Sequence, residues 1–206
     1  MASGFSGLRK VPAEPAAALL DRAGFALGTP LDAPAHASVA EVLTELWARA
    51  AQGDVLRLLS AALPMREGVW WACLAARDRL PAGAATTPCL EAAEAWVRAP
   101  GEAARQKAAE ALASVRPRDA TRFAAMAALY SEGTAGTGDL AAHPVPKGAA
   151  RQMVLAANLD ALCEAPDPQA QFRVIVARGL DLARGGNGQG SGQGSGQGGG
   201  GRMGGA

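Results

Sequence analysis

The sequence predicts an all-α fold, an irregular multi-helix bundle of about eight core helices or a short helical-hairpin solenoid, and three observations carry that prediction. Alanine fills 50 of the 206 positions and aromatics only 4%, so the core is built from aliphatic and very small side chains. That suits closely approaching helices better than sheets rich in valine, threonine and tyrosine. Apolar residues recur at intervals of three and four between proline and glycine stops. No segment of any length alternates as a strand does. A content of 49% hydrophobic and 19% charged residues also excludes a chain disordered throughout.

Residues 1–35 read as an N-terminal arm rich in proline and glycine with one short helix over 13–23, able to fold back onto the core. The bundle domain spans 36–184. Its first helix begins with a capping box, Ser38-x-x-Glu41, followed by Val39, Val42, Leu43, Leu46, Trp47 and Ala50 at helical spacing. Glu45 and Arg49 form an i,i+4 pair on its outer face. Asp54 then caps a second helix, nearly all apolar from Val55 to Leu63 and stopped by Pro64. A third runs over 66–80 and ends at Pro81-Ala82-Gly83.

Thr87-Pro88 opens a fourth helix, since proline at the first helical position gives up an amide that has no partner there anyway. Pro100, Pro117, Pro146 and Pro168 repeat that punctuation and open four more, two of them over 101–115 and 118–130. No signature residue recurs at a fixed period, so a globular bundle is the simpler reading of the paired helices. From 185 to 206 the chain is glycine, glutamine and serine with almost no apolar surface, the composition of a disordered tail.

Charge and cysteine usage bound the function. Twenty Lys and Arg against 19 Asp and Glu give a formal net charge of +1, too little for a dedicated binder of nucleic acid or anionic lipid. Cys73, Cys89 and Cys163 are odd in number and widely spaced, neither a disulfide framework nor a metal cluster. A reducing, cytoplasmic setting fits them, and no convincing signal peptide or membrane-spanning run is present. No cofactor or metal is expected, because the two histidines lack further ligands at metal spacing.

Few residues stand out as sites. Trp70 and Trp71 point about 100° apart on a helix and cannot both face one core layer. Either one lines a groove or interface, where tryptophan is enriched, or both lie under neighbouring helices. The stretch 98–122 carries a local charge of +3, and Arg105, Arg116 and Arg118 in it are candidates for an acidic partner or a weak nucleic-acid contact; a solvated helix face explains them equally. Cys89, at a predicted helix N-terminus that would lower its pKa, is the candidate reactive thiol, with a small buried hydrophobe as the competing reading; Cys73 and Cys163 read as small buried hydrophobes. The polar gap 131–145 holds His143, with Ser131 and Asp139 as conceivable partners. Its glycines fail as a phosphate loop because no strand precedes them and no GK[ST] follows.

The stretches VWWACLAARDRL (69–80), LEAAEAWVRAP (90–100), FAAMAALYSEG (123–133), HPVPKGAARQMVLAAN (143–158) and FRVIVARGLDLARG (172–185) together resemble a family of small all-helical bacterial proteins, a proteobacterial domain of unknown function. The resemblance covers about 65–185 and rests on packing and turn residues. It implies an intracellular helical protein, in some cases encoded near secretion genes, and carries over no functional residue. The resulting expectation is a non-catalytic protein-interaction module, an adaptor, chaperone or accessory factor whose partner is another protein. An enzyme using Cys89 or His143 is the alternative, and a nucleic-acid binder through 98–122 the third.

Overall fold

A computed structural model describes residues 2–136 and 138–189, with backbone alone at 2, 3, 138 and 139. Among these residues there are nine α-helices and no strand. They are α1 (Ala16–Ala23), α2 (Val39–Ala48), α3 (Gln52–Ala62), α4 (Met65–Asp78), α5 (Pro88–Arg98), α6 (Glu102–Ala113), α7 (Arg122–Leu129), α8 (Ala149–Cys163) and α9 (Pro168–Arg184). Eight of them, α2 to α9, lie in the stretch expected to form the bundle.

Local chemistry sets most boundaries. The Ser38 hydroxyl accepts from the Glu41 amide while the Glu41 carboxylate accepts from Ser38, so the capping box is present on both sides. Thr87 and Asp167 cap α5 and α9 from one side only, accepting from the amides of Leu90 and Ala170, each ahead of a proline in the first turn. Four starts differ from expectation. Pro146 opens a turn, and α8 begins at Ala149 with Gly148 at its N-cap. Pro15 itself sits at the N-cap of α1, so that helix begins at Ala16. Pro117 opens a turn, in which Asp119 holds the amide and hydroxyl of Thr121 (2.8 and 2.6 Å), and α7 waits until Arg122. Asp54 does not cap α3. The chain enters α3 through Ala51 without a side-chain cap, and the Asp54 carboxylate, 4% exposed, accepts from the amides of Gly28 (3.2 Å) and Thr29 (2.8 Å) in the arm.

α4 and α8 lie against each other at the centre. α5, α6 and α7 pack mutually on one side, with α5 and α7 on α4 and α7 also on α8. α1 and α2 cover α3 on the other side, and α9 closes over α4, α8 and α3. Because α8 returns between α4 and α7, the layers close on one another as a bundle and do not continue as an open solenoid. Alanine makes this possible: Ala124, Ala125, Ala127 and Ala128 of α7 are all fully buried. A helix with small residues on several faces packs closely against more than one neighbour. Bulk comes from leucines of α2 and α3 and from Trp71, Leu90 and Ile175.

Both ends of the bundle are strapped down. Phe5 is buried beside Trp47, ring centroids 5.7 Å apart; the Lys10 amide donates to Ala183 (2.9 Å), and the Arg184 guanidinium donates to the carbonyls of Ser6 (3.1 Å) and Gly4. At the other end, residues 185–189 of the expected tail are described and lie on the bundle. Gly185 terminates α9 in the left-handed region, and Gly186 to Gly188 fold back on the bundle. The Gly188 amide donates to Asp181 (2.8 Å), and a Cβ at Gly188 would stand 2.7 Å from Leu74. Residues 190–206, the rest of the expected tail, lie outside the described residues. No helix among the described residues is long and apolar enough to cross a membrane.

Candidate functional site

The two adjacent tryptophans of α4 separate as the helical geometry requires. Trp71 is fully buried, its indole N–H donates to the carbonyl of Ile175 in α9 (2.9 Å), and its ring lies against Gly179. It is core, and the idea that it contacts a partner is corrected. Trp70, one residue on, is only partly buried at the edge of α4. Its indole N–H donates to the carbonyl of Asn187 (2.7 Å), and the Arg77 guanidinium lies 5.7 Å from its ring centroid.

Trp70 forms one wall of a groove of about 460 Å³, within the usual range for binding clefts. α4 supplies Arg66, Glu67, Trp70 and Arg77, and the last turns of α5 supply Glu94, Val97 and Arg98. Leu182 of α9, the segment at Gly186 and Asn187, and Lys10 of the arm complete it. Its ion pairs join different elements. Lys10 meets Glu67 at 2.5 Å and Arg77 meets Glu94 at 2.6 Å, so Glu94 pairs across helices and not with Arg98 in its own. Arg66 turns its Nε to the Val97 carbonyl at the end of α5 (2.7 Å). Neither Arg66 nor Arg98 has a carboxylate partner among the described residues, and both are exposed.

The basic stretch 98–122 does not form one patch. Arg105 is 3% exposed and faces inward, donating to the carbonyls of Leu129 and Thr134 (2.9 Å each) and pairing with Glu102. It braces the 131–145 segment against α6 and α7 and does not await a partner. Arg122 folds over Phe123 and onto the carbonyls of Pro117 and Asp119. Arg116 and Arg118 stay exposed in the turn before α7, apart from Arg98 in the groove.

Of the two readings of Cys89, the buried hydrophobe is the one its surroundings fit. Cys89 is 1% exposed, and its thiol is pushed up to about 11, by burial first and the Asp119 carboxylate second. Loss of water around the thiolate outweighs the helix N-terminus that was expected to lower it. Cys73 is likewise buried, with its thiol raised by the same cause. Cys163, expected to be buried, is exposed at the end of α8. The 131–145 segment is held by an isolated bridge between Thr134 and Pro144 and by the Ala135 amide on the His143 carbonyl (2.9 Å). His143 is exposed, and the Ser131 hydroxyl donates back to Ala128 (2.8 Å). Thr137 and the side chain of Asp139 lie outside the described residues. No three His, Cys, Asp or Glu side chains among the described residues gather as metal ligands would.

Sequence reasoning singled out Trp70 and Trp71 without deciding between them, and missed what surrounds Trp70. Lys10 and Asn187 were assigned to the arm and the tail, and nothing in their local sequence places them beside α4. Trp47 was counted in the buried stripe of α2 but is 39% exposed, stacked on Phe172 with centroids 5.6 Å apart. The cavity beside it is smaller, about 230 Å³, and its ring already meets both Phe5 and Phe172.

Comparison with curated proteins and with solved structures gives no match. A family of unknown function, DUF6931, matches residues 42–183. The match therefore takes in most of α2 and all of α3, upstream of the stretch on which the sequence resemblance rested, and ends in the last turn of α9. Both groove-forming helices, α4 and α5, lie inside it, whereas Lys10 and Asn187 lie outside. The chain belongs to the DUF6931 family.

Proposed function

We propose that the chain is a non-catalytic protein-interaction module, an adaptor, chaperone or accessory factor that holds a partner protein in the groove at Trp70. The observation that carries this reading is the position of Trp70, half out of the core with its ring between an Arg77 guanidinium and the groove. Tryptophan and arginine dominate the energetics of protein interfaces because each combines a large apolar face with directional donors. The buried state of Cys89 gives the enzymatic alternative no support from this thiol. The bacterial setting implied by the sequence resemblance, in some cases beside secretion genes, fits an accessory factor working in the cytoplasm.

The test is a comparison of two single substitutions of the full chain in its native host. Trp70→Ala and Trp47→Ala each remove one partly exposed indole. A partner recovered with the wild-type chain and with Trp47→Ala, and lost with Trp70→Ala while its melting curve holds, is the expected result. Retention of the same partner by Trp70→Ala overturns the assignment.

A further inference from the structure

We infer that the Trp70 groove takes an acidic segment of the partner, with an apolar side chain against the indole and carboxylates on Arg66 and Arg98. The inference rests on the interaction reading above and names the chemistry of the occupant. Two independent features of the groove carry it, one electrostatic and one geometric.

Four cations and two carboxylates line the groove, an excess of two positive charges in a chain whose overall formal charge is +1. Both carboxylates are already engaged, Glu67 by Lys10 and Glu94 by Arg77. The unspent charge therefore belongs to Arg66 on α4 and Arg98 at the end of α5, and the hydrogen bond from Arg66 to the Val97 carbonyl brings the two to the same stretch of the groove. Guanidinium groups suit carboxylates because their parallel donors meet both oxygens of one acid. An incoming acidic side chain need not break either existing pair. A basic segment would meet like charge at both arginines, and a neutral one would leave both guanidinium groups without a counter-charge.

The chain itself shows what kind of backbone the tryptophan accepts. Residues 186–188 cross the edge of Trp70, and the indole N–H donates to a main-chain carbonyl, that of Asn187. Apolar surface from Val97 continues along the groove beside it, above the nearly buried Leu182. A peptide in the open part of the groove meets the same apolar floor, flanked by charge. Apolar contact on the floor with paired charge at the rim is the general layout of a protein interface.

The test uses a fluorescein-labelled peptide of alternating glutamate and leucine, read by anisotropy against the full chain. Its counterparts replace glutamate with glutamine or with lysine, and an unlabelled single-stranded oligonucleotide serves as competitor. The acidic peptide is expected to bind at least about tenfold more tightly than the glutamine peptide, with affinity falling as salt rises. Arg98→Glu and Arg66→Glu should each weaken it about tenfold, Arg98→Lys should restore most of the loss, and Trp70→Ala should remove binding. Arg116→Glu, an exposed arginine outside the groove, should leave it unchanged. Equal binding of the glutamine peptide overturns the acidic assignment and leaves the interaction reading standing. Equal displacement by the oligonucleotide overturns it in favour of a general polyanion site. Absence of binding by every peptide overturns it as well, and the partner comparison at Trp70 then decides the interaction reading on its own.

Discussion

Asp54 is a charged side chain held at 4% exposure, and its surroundings explain why the fold tolerates it. Burial works against the charge, but the Thr29 hydroxyl, the amides of Gly28 and Thr29 and the Arg57 guanidinium outweigh burial and hold the carboxyl below the usual carboxylate range. Its folded pKa lies below the unfolded value, so the stabilisation is complete above about pH 4 and is lost as pH falls through the folded pKa. Asp54→Asn should therefore destabilise the protein at pH 7 by about 2 kcal/mol and flatten its loss of stability on acidification. Thermal melts of both proteins between neutral and acidic pH check this; parallel curves would refute it. The same residue marks a limit of local reasoning. An aspartate near the start of an apolar helix reads as a cap, and the two amides it serves touch it in space but lie 26 and 25 residues upstream in the chain. Cys89 misleads for a similar reason: Thr87-Pro88 locates the helix start correctly, while the burial that raises the thiol comes from packing of distant segments.

At the scale of elements, α4 divides its two tryptophans between two tasks. Trp71 fills the seam with α9 and satisfies its indole on Ile175; Trp70 lies at the rim. Trp71→Ala should cost about 3–5 kcal/mol, the range for emptying an aromatic site in a tight core, and Trp70→Ala about 1–2 kcal/mol, since part of its ring keeps a solvent face. Denaturant melts of the two variants check the asymmetry, and equal losses would mean that Trp70 is structural. The direction of each ring followed from helical periodicity, but which ring faced inward depended on where α9 packs. Elements whose ends carry their own chemistry were legible in the sequence: the Ser38 box and the Thr87-Pro88 start both stand where they were expected. α7 was placed too early because proline opens turns as well as helices, and Asp119 stabilises the turn. The inward course of Arg105 was hidden for a further reason. Its acceptors are main-chain carbonyls of Leu129 and Thr134, which carry no side-chain signature.

At the scale of the whole molecule, both ends of the described chain converge on the groove. The arm contributes Lys10 and fastens to α9 through the Lys10 amide and Arg184. The segment after α9 contributes Gly186 and Asn187. Segments that composition assigned to the periphery therefore shape the candidate site, because a bundle with short helices leaves seams that neighbouring chain can cover. The consequence is testable by two truncations that differ only in this segment. A chain ending at Gln189 keeps the Trp70 indole bonded to Asn187 and keeps Gly188 over Leu74 and Leu182. One ending at Gly185 loses both. The shorter chain should be less stable by about 1–2 kcal/mol, from the apolar area exposed and the hydrogen bond lost, which for a protein of this size lowers the melting temperature by about 5 °C. Its tryptophan emission should shift to the red as Trp70 meets water, and its affinity for the acidic peptide should fall as one wall of the groove is removed. If the two truncated chains melt together and emit alike, the segment 186–189 is an appendage and the groove is the work of α4 and α5 alone.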